Sequence, residues 1–174
     1  MHLKKSAAAL ALGLSLALPL SAFAFGHTTL LRQDYSDGKA AGQVPFVDGL
    51  MEANLQANLN HLIKEKANAL GKEAGGKAVL SYEVTMNRPT LFSIILKAEG
   101  DRTVYAGMNL DVTGGKVLED QDLLYTNSTE YAQYIQGKNY VFAEEGIRVA
   151  SQPEGPLDTT IPYSKLLKAI NVAE

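Results

Sequence analysis

The side chains most able to do chemistry in this chain are carboxylates, and they gather in two places. Glu119-Asp120-Gln121-Asp122 is the densest acidic string, and Glu144-Glu145 forms a second pair. With Asp111, these are the groups from which a pair for acid–base work would be drawn, one holding a proton while the other stays ionised. The 119–122 string could attract Ca²⁺, but it lacks the glycine and distal glutamate of a calcium loop and reads as a solvated turn. Beyond the first 24 residues only His27 and His61 remain, without H-x-H or H-E-x-x-H spacing, and the chain has no cysteine. No metal site and no cofactor is therefore expected. No G-x-S-x-G elbow is present, and Ser164 in Ile161-Pro162-Tyr163-Ser164-Lys165 reads as a helix start. Asn127-Ser128-Thr129 matches a glycosylation sequon, although capping a helix explains it without sugar.

Aromatic residues stand beside the acids. Tyr125, Tyr131, Tyr134 and Tyr140 follow the first acidic string, and tyrosine combines a large contact area with a polar tip. Tyr131 and Tyr134, with Ile135, read as the buried stripe of a short helix. Tyr125 and Tyr140 are left as candidate anchors for a ligand. The candidate binding residues are thus Glu119, Asp120, Asp122, Tyr125, Tyr140, Glu144 and Glu145.

The start of the chain bears on where such a surface works. Lys4 and Lys5 precede an apolar run over residues 7–20, and Ser21-Ala22-Phe23-Ala24 places small residues at the positions an export peptidase reads. The run is long enough to span a bilayer, but it is rich in Ala, Gly and Ser and contains Pro19. A cleaved signal over residues 1–24 is expected, with no membrane span afterwards and an exported location: periplasmic, wall-associated or secreted. The remaining residues hold 14 of the 16 basic side chains and all 19 acidic ones, a net charge of −5. That charge disfavours nucleic acid, whose binding rests on Lys and Arg, and favours cationic partners. Without disulfides, an exported domain of this size must rely on its apolar core.

The elements that must position these residues follow from periodicity. Residues 25–43 are polar and Gly-containing and read as a flexible or edge-strand lead-in to a single domain over 44–174. Phe46, Leu50, Met51, Leu55, Leu59, Leu62, Ile63 and Leu70 mostly recur at helical spacing, predicting a long helix over 46–70 with Asp48 near its start and Gly71 or Gly75-Gly76 at its end. The pattern then switches to period two. Leu80, Tyr82, Val84 and Met86 alternate with polar residues, predicting a strand over 79–87, and two more follow over 91–99 and 103–112. Short turns between them imply an antiparallel meander against the helix. A short helix opening at Asn127, a second hairpin around Glu144-Glu145-Gly146 and a terminal helix over 163–172 complete an α+β fold.

Several strings in this order resemble the PdaC/RsiV-like extracellular domain family. They are Leu59-Asn60-His61-Leu62-Ile63, Ser81-Tyr82-Glu83-Val84-Thr85-Met86-Asn87, Leu110-Asp111-Val112-Thr113-Gly114-Gly115-Lys116, Asp122-Leu123-Leu124, Glu145-Gly146-Ile147 and Ile161-Pro162-Tyr163-Ser164-Lys165-Leu166. That family includes a domain accompanying an exported peptidoglycan deacetylase and the outer part of a lysozyme-sensing anti-sigma factor. These 174 residues hold neither a deacetylase domain nor a sigma-binding segment, so neither activity is carried over. The resemblance implies an envelope-facing binding module, whose ligand would be a basic protein such as lysozyme or a cell-wall polymer such as peptidoglycan. The contrasting expectation is a small cell-wall hydrolase with an unrecognised carboxylate pair. A concave pocket gathering two or more acids beside an apolar wall would favour the second, and a smooth face with an acidic rim the first.

Overall fold

The computed structural model describes residues 29–170. The expected signal over 1–24, the start of the lead-in and the last four residues lie outside them. Two β-rich halves are built in chain order. The first runs β1 (Thr29–Ser36), β2 (Ala40–Asp48), α1 (Ala53–Ala74), β3 (Ala78–Asn87), β4 (Leu91–Glu99), β5 (Thr103–Asp111) and β6 (Lys116–Val117). The second runs α2 (Asp120–Leu123), α3 (Thr129–Tyr134), β7 (Tyr140–Ala143), β8 (Gly146–Val149) and β9 (Thr159–Pro162). The first six strands form one sheet in sequential order, antiparallel except for the β2–β3 pair, and β7-β8-β9 form a smaller antiparallel sheet. No described helix is long and apolar enough to cross a membrane.

The expected lead-in is a hairpin. β1 is an edge strand, and the chain turns at Asp37, whose Oδ1 accepts from the Lys39 and Ala40 amides at 2.9 and 2.7 Å. Those two backbone bonds also hold the exposed Asp37 carboxyl below its usual range. β2 then occupies ground assigned from the sequence to the helix. Ala40, Val44 and Val47 are buried, and Gly49, at φ 84°, turns the chain before the helix begins at Ala53. Phe46 and Asp48 therefore belong to a strand, and Met51 is 96 % exposed. The error has a physical cause: a short apolar strand followed by a turn can mimic one helical stripe when read at 3.6-residue spacing.

From Ala53 onward the helical face is clean. Leu59, Ile63, Ala67, Leu70 and Ala74 recur every three or four residues and are buried against the sheet, while Leu62 is half-buried. Gly71 does not stop the helix. It lies inside α1, where an added Cβ would stand 2.6 Å from Ala40 Cβ, so its missing side chain lets helix and strand approach. Gly75, at φ 75°, ends it. Asn60 pins the two elements, its Oδ1 accepting from Val47 N at 2.7 Å and its Nδ2 donating to Val47 O at 2.8 Å.

The expected meander is present as β3–β5. β4 is buried on both faces: Phe92, Ile94, Leu96 and Ala98 join the core under α1, and Ile95 joins the apolar cluster of Val141, Ala150 and Leu157 on the other side. The chain thus forms three layers, α1 over the large sheet over the small one. A bulge between Val84 and Met86 breaks the alternation of β3. Before it Leu80 and Tyr82 pack under α1, and after it Met86 falls into the lower core with Ile135, Tyr140 and Phe142. An inserted residue inverts all later side chains, which a period-two pattern cannot register.

The expected terminal helix over 163–172 is not formed in the described residues. Ile161 and Pro162 pair with β8, and only a single 3-10 turn follows at Tyr163–Lys165. Leu166 and Ala169 are buried in the lower core, and Leu124 bridges Ile170. Tertiary pairing with β8 and Leu124 replaces the local helix. The short helix α3 is capped by Ser128, whose Oγ accepts from Tyr131 N at 3.1 Å, rather than by Asn127.

Candidate functional site

The seven candidate residues fall into two groups that the fold treats differently. Asp120 and Asp122 belong to the single turn α2 and Glu119 caps its start, and their charges are largely engaged. Asp122 Oδ2 accepts from Glu119 N at 2.9 Å and its Oδ1 from Lys116 Nζ at 3.0 Å. The amide first, and the ammonium after it, hold the Asp122 carboxyl below its usual range. Gln121 donates to Glu119 at 2.6 Å. Asp120 turns inward and accepts from both the Tyr131 and Tyr140 hydroxyls, the latter at 3.0 Å. What reads as a solvated acidic turn is a capped helical turn with one acid bound to two tyrosines.

Tyr140 is therefore not an exposed anchor. It is buried in the lower core with its ring edge-on to Phe142, centroids 6.3 Å apart. Burial, with the Asp120 charge second, drives its hydroxyl well above the ordinary tyrosine range. Tyr131, also buried, is pushed up to about 12, chiefly by its bond to Asp120. Tyr125 is the exception among these aromatics, half exposed, with its amide donating to Ala169 O at 2.6 Å. Asp111 closes its own turn: burial would raise its carboxyl, but bonds from the Thr113 hydroxyl and the Gly114 and Thr113 amides bring it below the usual range. His61 stands exposed on α1, 3.3 Å from Glu65.

Glu144 and Glu145 occupy the turn between β7 and β8 and remain at the surface. β7 crosses beneath β5, β4 and β3, and polar side chains hold it there. Asn139 Oδ1 accepts from Gly107 N at 2.8 Å and its Nδ2 donates to Tyr105 O at 3.1 Å. Asn109 Oδ1 accepts from Ser93 Oγ at 2.7 Å and Phe142 N at 3.1 Å, while Thr85 Oγ1 donates to Phe142 O at 2.6 Å. Having passed under Thr85, the hairpin carries Glu144 and Glu145 out beside β3.

Between that tip and β3 lies an open groove of about 250 Å³, lined by Glu83, Val84, Thr85, Ala143, Glu144, Glu145, Arg148 and Thr160. Arg148 donates to Glu83 at 2.5 Å and Arg88 to Glu144, and both glutamates keep more than half of their side chains exposed. Glu145 has no hydrogen bond or ion pair among the described residues. Sequence reasoning missed Glu83, Arg88 and Arg148. Glu83 lies 65 residues from its partner Arg148, and its only local signal is a charge on the polar face of an alternating strand. The groove does not include the α2 acids. Asp120 instead lines a smaller cavity of about 170 Å³ with Asn109, Lys138, Asn139 and Tyr140.

One further string, Ser36-Asp37-Gly38-Lys39, has the S-x-x-K spacing of some acyl-transfer enzymes. It forms the exposed β1–β2 turn, where Ser36 and Lys39 share no bond. That arrangement activates no nucleophile.

No protein-family model matches this sequence, and no curated protein matches it. Solved structures do. A DUF3298 family protein from Pseudomonas aeruginosa PAO1 aligns with a TM-score of 0.50 and 11 % identity over 83 % of this chain and 94 % of its own. A DUF3298 member from Bacteroides fragilis NCTC 9343 aligns at 0.48 and 12 % identity, over 83 % and 92 %. At such identity the first likeness speaks to fold alone: the chain has a DUF3298-like α+β fold.

Proposed function

We propose that this chain is an exported, non-catalytic binding module of the cell envelope whose partner is cationic, a basic protein such as lysozyme or a cell-wall polymer. The observation that carries the reading is the groove beneath the β7–β8 tip, where Glu83, Glu144 and Glu145 stand open to solvent on a protein of net negative charge. Exposed carboxylates steer and orient a basic partner. The resemblance to PdaC/RsiV-like domains supports the same reading.

Three glutamates in one groove are also what a wall hydrolase would need. Binding is the better fit because Glu83 and Glu144 are each paired with an arginine and are more than half exposed. A general acid is instead sheltered so that it keeps its proton.

Calorimetry against lysozyme decides between them. Binding at low ionic strength should weaken steeply as the Debye length falls from about 10 Å at 0.1 M salt to about 3 Å at 1 M. Absence of binding at low salt removes lysozyme as the partner, and peptidoglycan turnover that disappears in Glu145→Gln makes the protein a hydrolase. Export belongs to the same proposal, with cleavage between Ala24 and Phe25. The mass of the exported protein should begin at Phe25, and full-length chain held in the membrane fraction refutes it.

A further inference from the structure

β3 is fully paired on one side only. β4 runs beside it from Val79 to Asn87, whereas β2 pairs with it only at Ala40↔Ala78, Ala41↔Val79 and Gly42↔Leu80. Beyond that point the strands fork. Gly42 is pressed so close that a Cβ there would lie 2.1 Å from Leu80 O, and Asn60 holds Val47 by both backbone groups, drawing β2 onto α1.

In an antiparallel pair, every second residue turns its N–H and C=O away from the partner. Residues 81–84 therefore present ladder positions to the fork, and no described group on that side bonds to them. The bulge after Val84 ends the regular edge, which limits any added strand to about four residues.

The two faces of this edge differ in chemistry. Glu83 pairs across the ladder with Ile95, on the side of the small sheet, and meets the overhanging turn with Glu144 and Glu145. Three carboxylates there are balanced by two guanidiniums, Arg148 and Arg88, and Glu145 is the carboxylate without a partner among the described residues. Tyr82 and Val84 pair with Leu96 and Ile94 on the α1 side. Tyr82 is half-buried against the upper core and Val84 is 37 % exposed.

We propose that a short extended peptide segment alternating basic and apolar side chains adds as a strand to residues 81–84 of β3. Its basic side chains would lie beside Glu83 and Glu145, and its apolar ones against Tyr82 and Val84. Main-chain bonds supply affinity in this mode, and the alternating side chains supply specificity. The inference rests on the binding-module reading and gives its partner a form, an exposed basic strand or tail.

The test uses the full chain and the capped peptide Lys-Val-Lys-Val-Lys-Val, with two further versions N-methylated at the odd or at the even residues. A strand added to β3 points only one set of amides at the edge. One methylated version should therefore bind about tenfold or more weakly than the unmodified peptide, and the other should nearly retain its affinity. Hydrogen exchange should slow at the alternate amides within residues 81–84 that turn away from β4 when the peptide is present. Glu145→Lys should weaken binding by about two- to fivefold.

Equal affinity of the two methylated versions, or exchange protection confined to other elements, overturns the strand mode. Failure of the peptide to bind while lysozyme binds overturns this inference and leaves the binding-module reading standing. Binding of the peptide without lysozyme supports the strand and removes lysozyme as its source.

Discussion

Asp120 shows how far a residue's role departs from its neighbourhood in the chain. It stands in an acidic string with Glu119 and Asp122, yet its carboxylate is the acceptor for the hydroxyls of Tyr131 and Tyr140, 11 and 20 residues away. The consequence is a pH dependence. The Tyr131 hydroxyl, ordinarily near 10.0, is pushed up to about 12. Because the folded state holds this proton more tightly than the unfolded chain, the stabilisation is complete below pH 10 and is lost as pH rises toward about 12. Tyrosinate absorbance should show late-titrating phenols, one fewer in Tyr131→Phe because Tyr140 remains, and Asp120→Asn should move them back toward the ordinary value. A wild-type spectrum in which every phenol titrates together near 10.0 contradicts the arrangement.

Elements are held by how closely they can approach. Gly42 sits at φ 146°, with Leu80 backbone filling the place of its side chain. Gly42→Ala should force β2 off β3 and cost about 1–3 kcal/mol in urea unfolding. Leu59, fully buried at the centre of the α1 stripe, should lose about 2–5 kcal/mol as Leu59→Ala. A change under about 0.5 kcal/mol at either site, the scale of an ordinary surface substitution, would contradict its placement. The buried face of α1 was legible because side chains three and four residues apart share one face of any helix. Its start was not, since the residues of β2 satisfy the same spacing for one turn and only their pairing with β1 and β3 makes them a strand.

At the scale of the molecule, the three layers are joined through buried amides as well as apolar surface. Asn109 takes hydrogen bonds from Ser93 within the large sheet and from Phe142 N in the small one, and donates to Tyr140 O at 3.3 Å. Asn109→Ala leaves these groups buried without partners and should cost about 2–4 kcal/mol. It should also loosen the coupling between the layers. Near-ultraviolet signals from Tyr131 and Tyr140 should then melt before the far-ultraviolet signal, whereas the wild type loses both together. Coincident transitions in Asn109→Ala would show that apolar packing alone joins the layers.

The sequence by itself determined the α+β class, the buried face of the long helix, the three-strand meander and the β7–β8 hairpin. All of these rest on periodicity and turn chemistry, which are local properties of the chain. Tertiary structure alone decided that residues 40–48 form a strand, that the bulge near Thr85 sends Met86 into the lower core, and that 159–162 pair with β8 instead of leading into a terminal helix. It also divided the acids. Those of α2 were drawn into the fold by Lys116 and two tyrosines, and those of the hairpin tip were carried to Glu83, more than 60 residues away in the chain, to line one groove. Charges can be counted along a sequence, but whether a carboxylate faces a partner or solvent depends on which strand passes beneath it.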